Sequence, residues 1–235
     1  MSAPPARRAD AAGKEEAAAP AGRRKDEAAA PGGRRADAVR NDARILAAAR
    51  AVFVDDPGAP IAAVARAAGV GIGALYRRYP SKEELLRALC ADGLARYTAA
   101  AEGALAAGGD AWESFAGFMR AAVDADATSL TIRLAGTFTP TPELYEAAAH
   151  AGRLNVELFE RTRASGALRP DVEVNDIALI LEQLASIRLG DAARTHALRH
   201  RYLALALDGL RAAHAGPLPG PPPTDDELTS RWQRR

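Results

Sequence analysis

Four side chains that suit nucleic-acid binding lie between positions 76 and 82: Tyr76, Arg77, Arg78 and Lys82. Arginine can pair with guanine or with phosphate through two parallel N–H donors. Tyrosine and lysine side chains can each contact a phosphate. A solvated basic helix end would have the same composition, so these residues indicate a DNA contact only if the surrounding elements bring them to one face.

The segment 60–80 predicts such elements. Pro60 suits the first position of a helix, where its missing N–H has no partner to lose, and Gly69 suits the left-handed position that ends one. A second short helix is predicted over residues 72–79, until Pro80 forbids its continuation. Two short helices joined by a glycine turn have the layout of a helix-turn-helix, whose second helix can lie in a major groove.

A further helix is predicted directly after Pro80. Ser81 followed three residues later by Glu84 has the pattern of a capping box. This fourth helix runs toward about residue 106 and is long enough to link the helix-turn-helix to the rest of the chain.

The run GVGIGALYRRYPSKEELL (residues 69–86) resembles the signature of the TetR (tetracycline-repressor) family of bacterial transcriptional regulators. The segment ARILAAARAVF (residues 43–53) is similar to the first helix of that family. Two positions depart from the family pattern: Ala74 stands where Thr is usual, and Ala59-Pro60 replaces a hydroxyl residue at the start of the second helix.

The resemblance implies a double-stranded DNA operator as partner and places Arg77 and Arg78 toward the groove. It matches Tyr76 to a phosphate-contacting tyrosine and Lys82 to a lysine beside a helix N-terminus that also attracts phosphate. Small side chains before them would let the backbone approach the bases. The predicted DNA-contacting residues are Gly71, Ile72, Gly73, Ala74, Tyr76, Arg77, Arg78 and Lys82.

Composition favours an all-α protein. The 235 residues are rich in Ala, Leu and Arg, only 5% are aromatic, and β-branched runs are nearly absent. One cysteine excludes a disulfide framework. The sequence contains no apolar run of about 18 residues, so we expect no transmembrane span and a cytoplasmic protein. The net charge is only +1, with the basic excess in the first 97 residues.

The predicted organisation has four parts: a disordered basic tail at 1–35, a three-helix DNA-binding domain at 36–97, a helical effector-binding and dimerisation domain at 98–214, and a flexible Pro-rich tail at 215–235. Within the third part, GALRPDV (residues 166–172) resembles the C-terminal domain of SbtR-like, actinobacterial-type TetR proteins.

The family resemblance adds an effector pocket between the helices of the second half, and bundles do form such cavities. Ordinary helical core is the alternative for the same aromatic residues. The candidate pocket residues are Trp112, Phe115, Phe118, Met119, Phe138 and Tyr145, which predict a small apolar or aromatic effector. A homodimer through the last two helices is expected on apolar residues at three-four spacing: Ile177, Leu181, Leu184, Leu203, Leu207 and Leu210.

Other candidate sites favour plain interpretations. His196 and His200 share one helical face, a spacing that metals can use, but no carboxylate lies near them in sequence, so a solvated basic face is predicted and no metal site. Cys90 is interpreted as a small core residue. No Ser-His-Asp or paired-carboxylate pattern argues for catalysis, and no cofactor is predicted.

The sequence therefore predicts a ligand-responsive, homodimeric DNA-binding regulator, a repressor acting on a palindromic operator, and not an enzyme. The alternative is a helical small-molecule enzyme or carrier with a vestigial helix-turn-helix.

Overall fold

The computed structural model describes the backbone of residues 31–134, 136–213 and 216–229, and the side chains of residues 38–128, 130, 134, 136–213 and 216–229. The first 30 residues of the predicted tail lie outside these ranges. Within the described backbone the chain forms helices and no β-strand, which confirms the all-α prediction. The helices are α1 Pro31–Asp55, α2 Ile61–Ala68, α3 Ile72–Arg78, α4 Lys82–Ala106, α5 Ala111–Ala125, α6 Ala127–Leu134, α7 Pro142–Ala164, α8 Val174–Ser186, α9 Ala192–Leu210 and α10 Asp225–Thr229.

Three helix boundaries have an identifiable cause, and the start of α1 differs from the predicted boundary at residue 36. α1 begins at Pro31, five residues before the expected start, because proline is tolerated in a first turn. α8 ends at Ser186 because Ile187 adopts an extended conformation. α9 ends at Leu210, where the chain instead bonds back to the loop before α8: the Ala212 N–H donates to the Ala167 carbonyl at 2.9 Å.

Helices α1 to α3 and the start of α4 form an N-terminal unit, the head, around one apolar cluster that we call the head core. Ile45 and Phe53 from α1 pack in it with Leu75 from α3 and Leu85 from α4. The second half of the chain also contributes to it, through Leu130, Leu134 and Phe138 from α6 and the turn after it. The head is therefore not closed by its own helices alone, and the second half completes its core.

A second apolar cluster, the distal core, holds together α5, α7, α8 and α9. Phe115, Phe118, Leu158 and Phe159 are fully or almost fully buried in it. The ring of Tyr97 from α4 meets Phe118 edge-on, with centroids 5.1 Å apart. One helix, α4, thus belongs to both cores.

Four of the candidate pocket residues, Trp112, Phe115, Phe118 and Met119, are packed side chains of the distal core. The other two were wrongly grouped with them. Phe138 lies in the head core, and the Tyr145 side chain is 62% exposed. The buried residues Ala151 and Leu158 are seven positions apart and mark the inner face of α7. Tyr145 does not fall on the seven-residue repeat of that face, so its side chain points outward.

The six candidate dimer residues are also core residues of a single chain. Ile177, Leu181, Leu184, Leu203, Leu207 and Leu210 are all buried in the distal core. Their three-four spacing marks the faces of α8 and α9 that turn toward α5, so these side chains cannot meet a second copy. The expectation that they form the interface is wrong.

The C-terminal segment after α9 is held against the loop before α8. The Leu218 N–H donates to the Asp171 carboxylate at 2.7 Å, and Asn175 donates to the Pro223 carbonyl at 3.0 Å. The hydrogen bond from Arg169 and that from Leu218 lower the pKa of Asp171 to about 2. The described part of the predicted flexible tail, residues 216–229, is therefore held against the rest of the chain by hydrogen bonds. None of the described helices is long and apolar enough to cross a bilayer.

We expect Phe115→Ala to lower the free energy of unfolding by about 3–5 kcal/mol, because it removes a fully buried ring and leaves a cavity in the distal core. The matched control is Tyr145→Ala, which removes an exposed ring and should change stability by no more than about 0.5 kcal/mol. Urea unfolding of the two variants and the parent measures both. Equal losses in the two variants would contradict the assignment of the core.

Candidate nucleic-acid interface

The turn between α2 and α3 is fixed by local backbone bonds and by one side chain from α1. Gly69 has a φ of 64°, the left-handed conformation that favours glycine. The Val70 N–H bonds back to the Ala65 carbonyl at 3.0 Å, which closes the end of α2. Arg44 from α1 donates to the Ala68 carbonyl at 2.9 Å, so a cation also lies at the negative end of the α2 dipole. The angle between the two short helices is thereby set.

α3 is anchored on one side and open on the other. Leu75 is fully buried in the head core, and Tyr79, just after the helix, is buried beside it. On the opposite side, Ile72 is 44% and Tyr76 46% exposed, although large apolar and aromatic side chains usually avoid water. Arg77 is exposed next to them.

Small residues leave the backbone at the start of α3 uncovered by side chains. A methyl group added at Gly71 would meet no atom within 4 Å, and one added at Gly73 would approach only the tip of Arg77, at 3.9 Å. No neighbouring side chain therefore shields this part of the backbone. A flat surface such as the edge of a base pair could approach α3 closely here.

Arg78 differs from Arg77 because it already has a partner. Its guanidinium forms a fork with the carboxylate of Asp42 on α1, with Nε 2.7 Å from Oδ1. The hydrogen bond and charge of Asp42 raise the pKa of Arg78. Two parallel bonds fix the geometry, so Arg78 ties the end of α3 to α1.

Lys82 likewise has contacts within the head. Its ammonium donates to the carbonyls of Pro57 and Ala59, at 2.9 and 2.8 Å, and lies 5.1 Å from the centre of the Phe53 ring. It therefore joins the start of α4 to the loop between α1 and α2. Two of the three ammonium donors are used in this way.

The N-terminus of α4 follows the sequence pattern only in part. The Ser81 hydroxyl accepts from the Glu84 N–H at 3.1 Å, as expected for the capping residue. The Glu84 carboxylate, expected to complete a capping box, instead pairs with Arg87 at 2.6 Å.

The eight candidate residues thus fall into two groups. Six share the outer side of α3 and the turn before it: Gly71, Ile72, Gly73, Ala74, Tyr76 and Arg77. Arg78 and Lys82 hold α3 and α4 to the rest of the head. Sequence reasoning missed their partners and the capping residue Arg44, because side-chain pairs between helices leave no signal in local spacing.

An open groove of about 600 Å³ separates the head from the start of α7. The Arg78–Asp42 pair lies on its head side, and Leu144 on its α7 side. A much smaller cavity of about 10 Å³ lies between α5, α8 and α9, beside Val123 and Leu181. It has room for about one water molecule, so the distal core as described holds no space for an effector beside these residues.

The histidine pair on α9 has a neighbour that sequence did not reveal. A carboxylate oxygen of Asp124, at the end of α5, lies 3.0 Å from His196 Nε2 and 2.7 Å from His200 Nε2. Partial burial would raise the pKa of Asp124, but the hydrogen bonds and charges of His200 and His196 hold it below its ordinary value. The expected basic face without a carboxylate is wrong, since α5 supplies one.

Cys90 packs against the head core from α4. Burial raises the pKa of its thiol to about 12, so the thiol stays protonated at neutral pH. A protonated thiol is a poor nucleophile, and this agrees with a packing role.

Comparison with known protein families identifies two domains in the chain. Residues 45–89 match the model of bacterial regulatory proteins of the tetR family, and residues 107–212 match the model of the C-terminal domain of SbtR-like transcriptional regulators. Among curated proteins, none matches the chain.

Solved structures give the same result. A TetR transcription regulatory protein from Mycobacterium vanbaalenii is 32% identical, with a TM-score of 0.53 over 75% of this chain and 98% of that one. A TetR regulator from Streptomyces coelicolor is 27% identical, with a TM-score of 0.53 over 74% and 99% of the two chains. The TetR-like regulator LfrR from Mycobacterium smegmatis, solved in complex with proflavine, shares the fold at 23% identity, with a TM-score of 0.56 over 76% and 99%.

These matches are to transcriptional regulators rather than enzymes. The chain belongs to the TetR family of transcriptional regulators and carries a DNA-binding helix-turn-helix domain followed by an SbtR-like C-terminal domain.

Proposed function

We propose that the protein is a homodimeric repressor that binds a palindromic operator and releases it when a small apolar or aromatic effector binds. The observation that carries the proposal is the outer side of α3, where exposed Ile72, Tyr76 and Arg77 surround a backbone left bare by two glycines. The proposed DNA-binding domain is residues 36–97, completed by the α6 side chains of the head core. The proposed effector and dimerisation domain is residues 98–214.

In this proposal α3 lies in the major groove with its N-terminal half against the base edges. Ile72 and Ala74 contact thymine methyl groups, and Arg77 pairs with a guanine. Tyr76 contacts a phosphate from the rim of the groove. Among the described side chains of α3, Arg77 is then the only strongly polar one aimed at the bases, so base discrimination by α3 depends mainly on this residue.

Arg78 and Lys82 have a different proposed role from the reading residues. Both are used to hold α3 and α4 in place, by the pair with Asp42 and by the two loop carbonyls. Lys82 keeps a third ammonium donor, which we assign to a phosphate. Arg78 therefore orients α3 and does not itself contact a base.

A dimer interface on the outer faces of α8 and α9 is supported by exposed apolar side chains. Leu179 is 37%, Tyr202 50% and Leu205 61% exposed. Exposed apolar groups of this size on neighbouring helices are typical of association surfaces. Two chains joined there would form a four-helix interface. Reading heads about 34–36 Å apart would then meet successive major grooves, which requires a palindromic site.

Effector binding is proposed for the distal core, between α5, α7 and α8. This core is rich in aromatic side chains, and its cavity beside Val123 and Leu181 is only about 10 Å³, so an apolar ligand that enters there must open the core by moving a helix. Since α4 packs in both cores, such a movement would reach the DNA-binding head. The proflavine complex of LfrR shows ligand binding in that protein, and extending small-molecule binding to this chain is part of our proposal.

We expect Arg77→Ala to relax base preference at one operator position by about 1–3 kcal/mol, because it removes the one base-reading guanidinium. Arg78→Ala should weaken all sequences alike, because it loosens α3. Arg153→Ala, an exposed arginine of α7, is the matched control and should bind as the parent does. Fluorescence anisotropy on an operator selected from the DNA upstream of the gene, and on its single-base variants, measures this.

If Arg77→Ala and Arg153→Ala keep the same base preference as the parent, α3 is not the reader. If the parent protein binds no upstream or selected duplex, the proposed function as a DNA-binding regulator is contradicted, and a helical small-molecule-binding protein is favoured.

For Lys82→Met we expect two separate effects. The free energy of unfolding should fall by about 1–3 kcal/mol, because two loop carbonyls lose a charged donor. The slope of log affinity against log salt should fall by about one, because one phosphate contact is lost. Urea unfolding and a salt titration measure them independently. Unchanged stability would contradict the loop contacts, and an unchanged slope would contradict the phosphate contact.

Leu205→Glu should give a folded monomer, because a charge on the exposed face of α9 prevents association. Leu181→Glu should instead unfold the chain, because it buries an unpaired charge in the distal core. Light scattering reports the mass and circular dichroism the helix content. A Leu205→Glu protein that remains a dimer would place the interface elsewhere.

A further inference from the structure

Three potential metal ligands converge where the end of α5 meets α9. The ligand atoms of Asp124, His196 and His200 all lie within 4.8 Å of one another. The two imidazole rings are 4.5 Å apart between centroids and both present Nε2 to the same carboxylate oxygen. One turn of helix separates the histidines, so the spacing within α9 supplies two ligands and α5 supplies the third.

The distances suit a small divalent transition metal. Four ligands about 2.0–2.1 Å from a zinc ion are separated from each other by about 3.3 Å. The observed separations of 3.0 and 2.7 Å between carboxylate oxygen and imidazole nitrogen are close to this value. Small side-chain rotations would therefore let the three hydrogen-bonded side chains supply three ligands to one metal ion.

The donor set selects the class of ion. Two neutral imidazoles with one carboxylate are typical ligands of zinc and of other late first-row divalent ions. Magnesium and calcium favour sites made of oxygen atoms and do not match a set dominated by nitrogen. His196 and Asp124 are exposed and His200 is half-buried, so an ion can reach the site from solvent and keep water in its remaining positions.

The cluster adjoins the turn from α5 to α6. Residues at this turn contact both α9 and helix α1 of the DNA-binding head. Next to Asp124, the Ala125 carbonyl accepts from Arg50 of α1 at 2.8 Å. The following residue, Asp126, is in the left-handed region with a φ of 50° and pairs with the buried Arg199 of α9 at 2.7 Å. Three successive residues, the last two of α5 and the one that follows, are thus held by α9, by α1 and again by α9.

We propose that Asp124, His196 and His200 form a binding site for a divalent transition metal of the zinc class, and that its occupancy changes operator affinity through the α5–α6 turn. Metal binding brings α9 and the end of α5 closer together around one ion. It thereby shifts the Ala125 carbonyl, which accepts a hydrogen bond from Arg50. The metal site stands on geometry alone, whereas its effect on DNA rests on the proposed function.

The test is calorimetric titration of ZnSO₄ into the untagged, chelator-treated full chain. The parent should bind one Zn²⁺ per chain. His196→Ala, His200→Ala and Asp124→Asn should each weaken binding by at least the roughly 10–100-fold that even outer-shell changes cause at metal sites. His150→Ala is the matched control, since this half-exposed histidine also faces a carboxylate, that of Glu102, but lies on α7 away from the cluster.

The substituted side chains are exposed or half-buried, and circular dichroism confirms that each variant keeps the parent's helix content. Equal Zn²⁺ affinity in the parent and the three cluster variants would overturn the site, as would absence of binding to the parent. A further check is the visible absorption of bound Co²⁺, which reports coordination by these ligands and should be lost in His200→Ala.

The effect on DNA is measured separately, as operator affinity without Zn²⁺ and with Zn²⁺ at a concentration that saturates the parent but not Asp124→Asn. We expect a change of about five- to 150-fold, the usual range of coupling between two sites, and no change for Asp124→Asn. Zn²⁺ binding with unaltered operator affinity would overturn the coupling. If no duplex binds under any condition, the proposed function fails, and the calorimetric result still decides the metal site.

Discussion

A single uninterrupted helix, α4, takes part in both hydrophobic cores. Leu85 and Leu89 near its start are buried in the head core, and Ala101, three turns later, is buried in the distal core. Protein interiors are close-packed and transmit strain rather than absorb it, so a shift of α4 cannot be confined to one end. At Gly93, α4 packs against α6: an added methyl group would lie in ordinary van der Waals contact with Ala127, at 3.6 Å.

A second connection runs beside α4. Arg50 of α1 donates to the Ala125 carbonyl and pairs with Asp92 of α4 at 3.1 Å, so one guanidinium joins three helices. Since it is largely buried, this contact is not screened as a surface pair would be. The head is therefore attached to the distal half by apolar packing along α4 and α6 and by a polar contact at the α5–α6 turn.

The sequence predicted what is decided locally and missed what is decided by packing between helices. The pair of helices α2 and α3 was predicted well because Gly69 ends α2 and Pro80 prevents α3 from continuing. The leucines of α8 and α9 were wrongly assigned to a dimer because three-four spacing identifies a buried face but not what covers it. The carboxylate beside His196 was missed because Asp124 is far from it in sequence and close only after α5 packs on α9. The same holds for the Arg78–Asp42 pair, which distinguishes Arg78 from Arg77, the residue that we propose reads a base.

The central claim is that the outer side of α3 contacts bases directly. Site-specific photocrosslinking tests it most directly, with a photoreactive side chain placed at Ala74 of α3 or, as control, at the exposed Ala149 of α7 in the full chain. After irradiation on operator DNA, we expect crosslinks from position 74 to bases in the major groove of each half-site, and none from position 149. Crosslinks from position 149 alone, or from neither position on a duplex that the protein binds, would contradict it.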